Sequence, residues 1–415
     1  MSASSPKSDQ SDESDKSAVQ TDYLIVGGGA AGLSLAYHLA QEPRLAGQRV
    51  LIVEPDEAKA DDRTWRYWAA GATPFEAVEA HRWAQFVVRT PGYEQVFDLA
   101  PYRYRMVRAA DFYRHVDAAL AARPAQFTRL TGRVAALAEA PGGGGALATL
   151  ADGRQVRARY AFDSRLPALA RQPARHRYLE QHFLGWEIET DHDAFDPATM
   201  QFMDFRVPQH GQTRFVYALP FGPRRALVEF TVFSAARLAR AEYEAELRSY
   251  LAERLAGRPY RVTAEEGGSI PMTDHPLPAR VSPHVLNLGT RAGRSKPSTG
   301  YTFARIQRHS ARLVAALAAT GHPPTDPTGD RWQFRLFDTL LLDIMQQRGG
   351  QVRGLFGELF SRNPVQRIFR FLDEETSWVE NLQIMQSVQP WPFLRSIGQV
   401  LRGKPGRREK SGLGA

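Results

Sequence analysis

Three stretches of the chain carry residue types and spacings suited to chemistry. In the first, the apolar run Tyr23-Leu-Ile-Val26 leads into Gly27-Gly-Gly29-Ala-Ala31-Gly32, then an alanine-rich run to Ala40. A second apolar run, Arg49 to Val53, ends at Glu54. Strand, glycine loop, helix, strand and acid in that order form a dinucleotide-binding fingerprint. Gly27 allows the tight turn, Gly29 lets the backbone approach a pyrophosphate, and Gly32 lets the helix lie close to the sheet. Ala31 falls in the first helical turn, whose free N–H groups and positive dipole end favour phosphate. Glu54 can accept from ribose hydroxyls. A merely structural glycine turn would leave Glu54 unexplained.

The second stretch follows the apolar run Val285-Leu-Asn-Leu and reads Gly289-Thr-Arg-Ala-Gly293-Arg-Ser-Lys296-Pro297-Ser298-Thr299-Gly300, just ahead of a helical pattern from Phe303 to Ala319. Small, hydroxyl and basic residues before a helix N-terminus suit another pyrophosphate or flavin contact. Arg63, Arg294 and Lys296 could hold phosphates; ordinary surface charge is the plain alternative for each. Asp61 to Trp68 is polar and aromatic, and its position soon after Glu54 suits either the ligand cleft or a surface loop with aromatic anchors.

The third stretch is Ala226 to Phe233. Alternation puts Glu229 on one face with Leu227, Thr231 and Phe233. A carboxyl buried among such residues keeps its proton and can act as an acid. A strand residue facing solvent is the competing reading. Other acids compete for roles: Glu187 and Glu189 flank Ile188, and Asp204 lies in an aromatic segment. His182 and His275 read as structural.

Elements that position these groups follow from the patterns. A hairpin is expected over residues 82–98 around Pro91-Gly92, a strand over Tyr102 to Val107, and a helix from an Asp111 cap to Ala122. A β-meander ends in Arg157 to Phe162, a strand expected to rejoin the first sheet. Strand runs at 183–190, 213–220 and 225–233 form a large second sheet, followed by a helix over 235–255. From Trp332 onward the pattern is helical. The fold class is thus α/β, a Rossmann-like nucleotide domain with a β-sheet substrate domain and a helical C-terminal region. The expected division is a disordered tail over 1–22, a discontinuous nucleotide domain over 23–175 and 271–330, a substrate domain over 176–270, helices over 331–401 and a basic tail over 402–415. No second glycine fingerprint stands in strand–helix context, so no separate NAD(P)H domain is expected.

Composition narrows the function. The 415 residues include no cysteine, which excludes disulfides, thiolate catalysis and iron–sulfur clusters. The first 22 residues are too polar for a signal peptide, and no apolar run approaches the ~20 residues that span a bilayer. A net charge of +8 suits nucleic acid or anionic lipid. No nucleic-acid module is visible, so lipid is favoured, with a bias towards Arg and Ala as the plain alternative. An amphipathic, basic C-terminus can dock on an anionic membrane or simply cap the substrate domain. The expected location is cytoplasmic, peripheral on the inner face of the membrane.

Several of these residues resemble the bacterial lycopene β-cyclases. Pro271-Met-Thr, Gly289-Thr-x-Ala-Gly293 and Lys296-Pro-Ser-Thr-Gly-Tyr301 look like that family's second flavin segment. Tyr217-Ala-Leu-Pro-Phe221 with Val228-Glu-Phe-Thr231 looks like its acidic strand, and Gly185-Trp-Glu187 and Met203-Asp-Phe205 are also similar. Plant-type members carry two adjacent acids in that strand; here the second position is Phe230. Asp373-Glu-Glu-Thr376 looks superficially similar and is read as a solvated helix terminus.

The resemblance implies a two-domain flavoprotein of the aromatic-hydroxylase-like kind that closes the ends of lycopene into β-ionone rings without net redox change, giving γ- and then β-carotene. Glu229 would be the acid, with Asp204 a candidate second catalytic residue. Reduced FAD would stabilise the cation, with NADPH or another reductant as donor. Partners would be lycopene and other acyclic carotenes, with peripheral membrane contact. The alternatives are a flavin monooxygenase or prenyl reductase, and a non-catalytic prenyl-binding flavoprotein.

Overall fold

The computed structural model describes residues 18–56, 61, 63–167 and 176–401. Most of the N-terminal tail, the whole basic tail and Asp62 lie outside these. The chain opens with β1 (Val19–Val26), α1 (Ala30–Gln41) and β2 (Val50–Glu54). β1 begins four residues earlier than its apolar run, because Val19 to Thr21 pair with Val156 to Ala158. Next come β3 (Thr64–Ala69), β4 (Glu79–Trp83), the hairpin β5 (Gln85–Thr90) and β6 (Tyr93–Asp98), β7 (Arg103–Arg108) and α2 (Ala109–Ala121). Asp111 lies inside the first turn of α2 and Arg108 occupies the cap, which corrects the expected Asp111 cap. The meander is β8 (Phe127–Thr131), β9 (Val134–Glu139), β10 (Ala146–Leu150) and β11 (Gln155–Asp163).

The second half contains β12 (Tyr178–Thr190), β13 (Thr199–Asp204), β14 (Thr213–Gly222), β15 (Arg225–Ser234), α3 (Arg240–Arg254), β16 (Tyr260–Thr273), β17 (Val285–Asn287) and α4 (Phe303–Thr320). It closes with α5 (Trp332–Arg348), α6 (Val352–Arg362), α7 (Val365–Leu372), α8 (Trp378–Gln386) and α9 (Pro390–Leu401). Among the described residues, no helix is long and apolar enough to cross a membrane.

Three sheets result. The first runs β8-β2-β1-β11-β10-β9, with β17 also on β11, so the meander does return to β1. The second runs β16-β12-β15-β14-β13-β5-β6, and the third is β3-β7-β4. The hairpin β5–β6 therefore belongs to the second sheet, although it lies within the segment expected to form the nucleotide domain. β5 pairs in parallel with β13, and Phe86 and Val88 join the core beneath that sheet.

Alternation gives the second sheet two apolar faces. Val216, Ala218, Val228, Phe230 and Val232 pack against Tyr243, Leu247 and Leu251 of α3. Phe215, Tyr217, Leu227 and Phe233 face the core shared with Leu342, Phe360, Ile368 and Phe369 of the C-terminal helices. β16 was not legible as a strand: Gly267-Gly268 and a largely exposed edge break its alternation.

Candidate active site

One rung of the second sheet carries the site. Glu266 on β16, Gly185 on β12, Glu229 on β15 and Tyr217 on β14 stand directly opposite one another. Neighbouring strands lie ~4.8 Å apart, so the two glutamates are separated at the backbone by roughly 10 Å, with only Gly185 between them. A Cβ on Gly185 would come within 3.3 Å of Glu266 Cγ and 3.4 Å of Glu229 Cβ. The missing side chain is what lets the two carboxyls share one space.

β3 supplies the cation between them. Arg66 donates from one terminal nitrogen to Glu229 Oε2 at 2.8 Å and from the other to Glu266 Oε1. The Thr231 hydroxyl donates to Glu229 Oε1 at 2.9 Å, and the Thr64 hydroxyl to Glu266 Oε2 at 3.0 Å. Glu229 is 1% exposed, and the side chains of Arg66 and Glu266 are 11% and 12% exposed. Two buried carboxyls facing one guanidinium favour retention of a proton. Burial pushes Glu266 up to about 7; Arg66 opposes the rise, and the Glu229 charge and a carboxyl–carboxyl hydrogen bond add to it.

Aromatic rings wall the rung. The Tyr104 and Tyr301 hydroxyls are 3.3 Å apart, and Trp68 meets Tyr301 edge-on at 4.6 Å and stacks on Phe369 at 4.6 Å. Burial raises Tyr104 to about 12 and lifts Tyr217 and Tyr301 well above the ordinary phenol value, so all three stay neutral. Such rings offer negative faces to a developing cation and an apolar wall to a hydrocarbon.

The glycine loop fits a dinucleotide. Gly27 has φ +97°, and a Cβ on Gly32 would lie 2.0 Å from the Gly27 carbonyl oxygen, so the turn tolerates no side chain there. A Cβ on Gly29 would meet nothing within 4 Å, and no side chain caps α1, which leaves open space before its first N–H groups. Glu54 closes the loop, accepting from Gly28 N–H and, at 3.1 Å, from Asp56 N–H. The second glycine segment meets the first: Gly289, at φ +56°, packs so close to Ala31 that a Cβ would lie 2.6 Å from the Ala31 methyl. Gly293 (φ +69°) closes a short 3-10 turn, and Gly300 (φ +72°) passes against the Gln181 side chain. The residues present thus suit FAD.

Several candidates are placed elsewhere. Asp204 is on the opposite face from Glu229, beside Val216 on the α3 side. Its carboxylate is taken by Arg206 at 2.7 and 2.9 Å and by the Tyr250 hydroxyl at 3.1 Å. The aromatic surroundings that suggested chemistry are a packed ion pair. Lys296 puts its ammonium on Asp338 and Glu374, and the Ser298 hydroxyl bonds Asp338 at 2.6 Å. Arg294 forms a two-pronged pair with Asp330. These groups anchor the second glycine segment to α5, the loop before it and the end of α7, where a phosphate contact was expected. Pro297 and Thr299 complete its turn, with Thr299 N–H donating to the Lys296 carbonyl at 3.2 Å.

Arg63 is exposed just before β3, its carbonyl accepting from Ala109 N–H. Glu187 pairs with Arg108 and Arg225, and Glu189 with Arg261. His182 is structural, between Ser234 and the Tyr243 hydroxyl, and burial pushes it down to about 4. Asp373 and Glu374 are no solvated terminus: Asp373 accepts from the Trp68 indole at 2.6 Å, and Glu374 binds Lys296 and Arg305.

Sequence reasoning missed Arg66, Glu266 and the role of Gly185. Arg66 lay in the polar–aromatic stretch assigned to the cleft or to a loop, and strand alternation over Thr64 to Ala69 was the available signal. Glu266 had none, since its strand was unreadable.

Comparison with known proteins shows the family and the fold. The chain is 26% identical to the lycopene β-cyclase of Pantoea ananas, covering 92% of this chain and 98% of that one. It is 28% identical to the lycopene β-cyclase of Paracoccus sp. (strain N81106 / MBIC 01143), covering 93% and 97%. Among solved structures, a geranylgeranyl bacteriochlorophyll reductase-like protein from Thermoplasma acidophilum matches with a TM-score of 0.56 at 14% identity, covering 93% and 99%. PqsL, a probable FAD-dependent monooxygenase from Pseudomonas aeruginosa, matches with a TM-score of 0.53 at 18% identity, covering 86% and 100%. These two share the flavoprotein fold. The family model described as lycopene cyclase protein matches residues 22–397, and the chain belongs to the lycopene cyclase family.

Proposed function

We propose that this protein is a lycopene β-cyclase, protonating a terminal double bond of lycopene and closing each end into a β-ionone ring without net redox change. The observation that carries the reading is the buried Glu229–Arg66–Glu266 cluster on an aromatic-walled sheet face. An alkene is a poor base, so its proton donor must be held neutral away from water. Burial, with the facing Glu229 charge, raises Glu266 to about 7 against the pull of Arg66, which keeps a proton in the pair near neutral pH. Glu229 stands at the centre of the rung beside Tyr217 and delivers that proton; Glu266, at the sheet edge, shares and replenishes it. Arg66 and Thr231 fix the Glu229 oxygens. Trp68, Tyr104, Tyr217 and Tyr301 exclude water and turn ring electrons towards the cation. The carboxylate left after donation can take back the proton lost on ring closure, which exchanges with solvent through Glu266 before the next ring closes. FAD held at Gly27 to Gly32, Glu54 and Gly289 to Gly300 supplies, when reduced, negative charge opposite the cation. NADPH or another reductant provides its electrons.

The carotene substrates partition into lipid, and the C-terminal helices suit contact with a membrane. Of the fourteen exposed large apolar side chains among the described residues, nine lie between Trp332 and Leu401. On α9, Trp391, Leu394, Ile397 and Leu401 form an outward stripe at helical spacing, and a basic sequence follows it. The fitting location is the inner face of the cytoplasmic membrane, where anionic headgroups meet that charge.

The test is lycopene cyclisation with reduced FAD in D2O. The expected product has β-ionone rings, each carrying one solvent deuterium, and no net flavin oxidation accompanies turnover. Active protein giving unlabelled rings overturns the protonation mechanism. Oxygen-dependent NADPH consumption with a mass gain in the carotene replaces this reading with a monooxygenase.

A further inference from the structure

The guanidinium of Arg66 has three nitrogens, and the acid pair occupies only the two terminal ones. The third, Nε, is buried and has no hydrogen-bond partner among the described residues. Arg66 lines a narrow hollow beside the rung, together with Lys296, Arg305 and the first residues of α4. Arg305, in the first turn of α4, is 9% exposed, and its Nε is likewise buried without a partner. Its terminal nitrogens are held by Glu374 and Asp330. No side chain caps α4, so the first N–H groups of this 18-residue helix are left to the hollow as well. Asp373 also lines it, but its oxygens are taken by the Trp68 indole and Arg308. Two orphaned guanidinium donors and a helix N-terminus thus border one space in which the described residues supply no free acceptor.

The hollow borders the second glycine segment, at Lys296 and Tyr301, beside the residues that suit FAD. The electron-rich edge of a flavin ring is the acceptor such donors fit, and it carries a full negative charge once the flavin is reduced. Hydrogen bonds from guanidinium to an anion are stronger than those to a neutral acceptor. One guanidinium facing three anions holds each of them less firmly than it holds two.

We propose that Arg66 couples the flavin to the acid pair: its Nε–H donates to the flavin ring, so that a reduced, anionic flavin draws the cation's charge away from Glu229 and Glu266 and the pair binds a proton. The proposal rests on the reduced-FAD reading above and deepens it, since reduction then arms the acid as well as placing negative charge opposite the carbocation. The balance is simple. A hydride donor gives the flavin two electrons and one proton, leaving it anionic. One further proton passes from solvent to a carboxylate of the pair. No bond to carbon forms, and the flavin is not consumed.

Few other groups face the pair. β3 contributes Arg66 and the Thr64 hydroxyl, and β15 contributes Glu229 and the Thr231 hydroxyl. On β12, Glu187, two residues from Gly185, pairs with Arg108 and Arg225. Tyr104, Tyr217 and Tyr301 stay neutral because burial holds their protons. Lys296, across the hollow, is held by Asp338 and Glu374.

The test is a spectroelectrochemical titration of the flavin in the full-length protein between about pH 7 and about pH 8.5. The pH slope of the midpoint counts the protons taken up with each pair of electrons. Above about 7 the pair in the oxidised protein has lost its proton, so the wild type should take up close to two protons for each flavin reduced. Glu266→Gln should take up one. Arg66→Lys keeps a charge beside the acids but lacks the forked donor. Its preference for reduced over oxidised FAD should fall roughly tenfold, read as a lowered midpoint at fixed pH, with folding checked by the thermal midpoint. One proton per flavin in the wild type overturns the coupling and leaves cyclisation, scored by its β-ionone product, standing. Two protons in Glu266→Gln would place the proton outside the pair and overturn it equally. An unshifted midpoint in folded Arg66→Lys removes the Nε contact. Purified protein that holds no flavin in either state removes the reduced-FAD reading and the coupling together.

Discussion

Glu229 and Glu266 occupy strands that never pair, yet their carboxyls meet on the two terminal nitrogens of Arg66 across the bare backbone of Gly185. Under the proposed function the two acids have separate duties, with Glu229, the more buried, as the donor. Glu229→Gln keeps the shape and the Thr231 contact but cannot donate a carboxyl proton. Cyclisation should fall by roughly 10²- to 10⁴-fold, with flavin absorbance in the purified protein unchanged. Product chromatography from lycopene-accumulating cells measures it, and undiminished β-carotene removes Glu229 from the acid role.

Glu266 predicts a pH dependence. Its carboxyl is raised from 4.5 to about 7 on folding, chiefly by burial. The stability associated with its protonated form is complete below the unfolded value and drains away as pH rises through about 7, by up to roughly 3 kcal/mol for such a shift. Glu266→Gln removes that titration. Denaturant unfolding of both proteins between about pH 5 and about pH 8 should shift in the variant's favour as pH rises. Cyclase activity of the wild type should decline over the same upper range, as the pair loses its proton. Parallel stability profiles would show that Glu266 is not the titrating partner.

Gly185→Ala tests the shared space directly. The new methyl would stand 3.1 Å from Leu227 Cδ1 as well as against both glutamates. Displacing the pair should slow turnover by about tenfold to a hundredfold while lycopene still binds and the same ring product forms. A kcat equal to wild type would mean the carboxyls do not need this spacing.

Gly32→Ala addresses the cofactor loop. The methyl would collide with the Gly27 carbonyl oxygen, which is backbone and cannot swing aside. FAD affinity should weaken by on the order of 1–3 kcal/mol, about fivefold to 150-fold. Flavin content after gel filtration reports it, and full occupancy in the variant counts against this loop as the pyrophosphate cradle.

The sequence by itself determined what depends on local order. Gly27, Gly29, Gly32 and Glu54 declare their turn because its requirements, φ > 0 and close approach, fall on neighbouring residues. The face of Glu229 was legible because strand alternation is a period of two over a few residues. Asp204 was a candidate because it lies in an aromatic segment; only the stacking of α3 against one face of the sheet separates it from Glu229. Likewise Lys296 and Ser298 read as ligand contacts until α5 folded back and presented Asp338. The acid pair itself was decided by tertiary structure. Arg66, Gly185, Glu229 and Glu266 lie up to 200 positions apart in the chain, and they meet only because β12 runs between β15 and β16 while β3 from another sheet reaches the same rung. Charge spacing along a chain carries no trace of such a meeting. The raised Glu266 carboxyl arises from burial and the facing Glu229 charge, which exist only once the strands are in register.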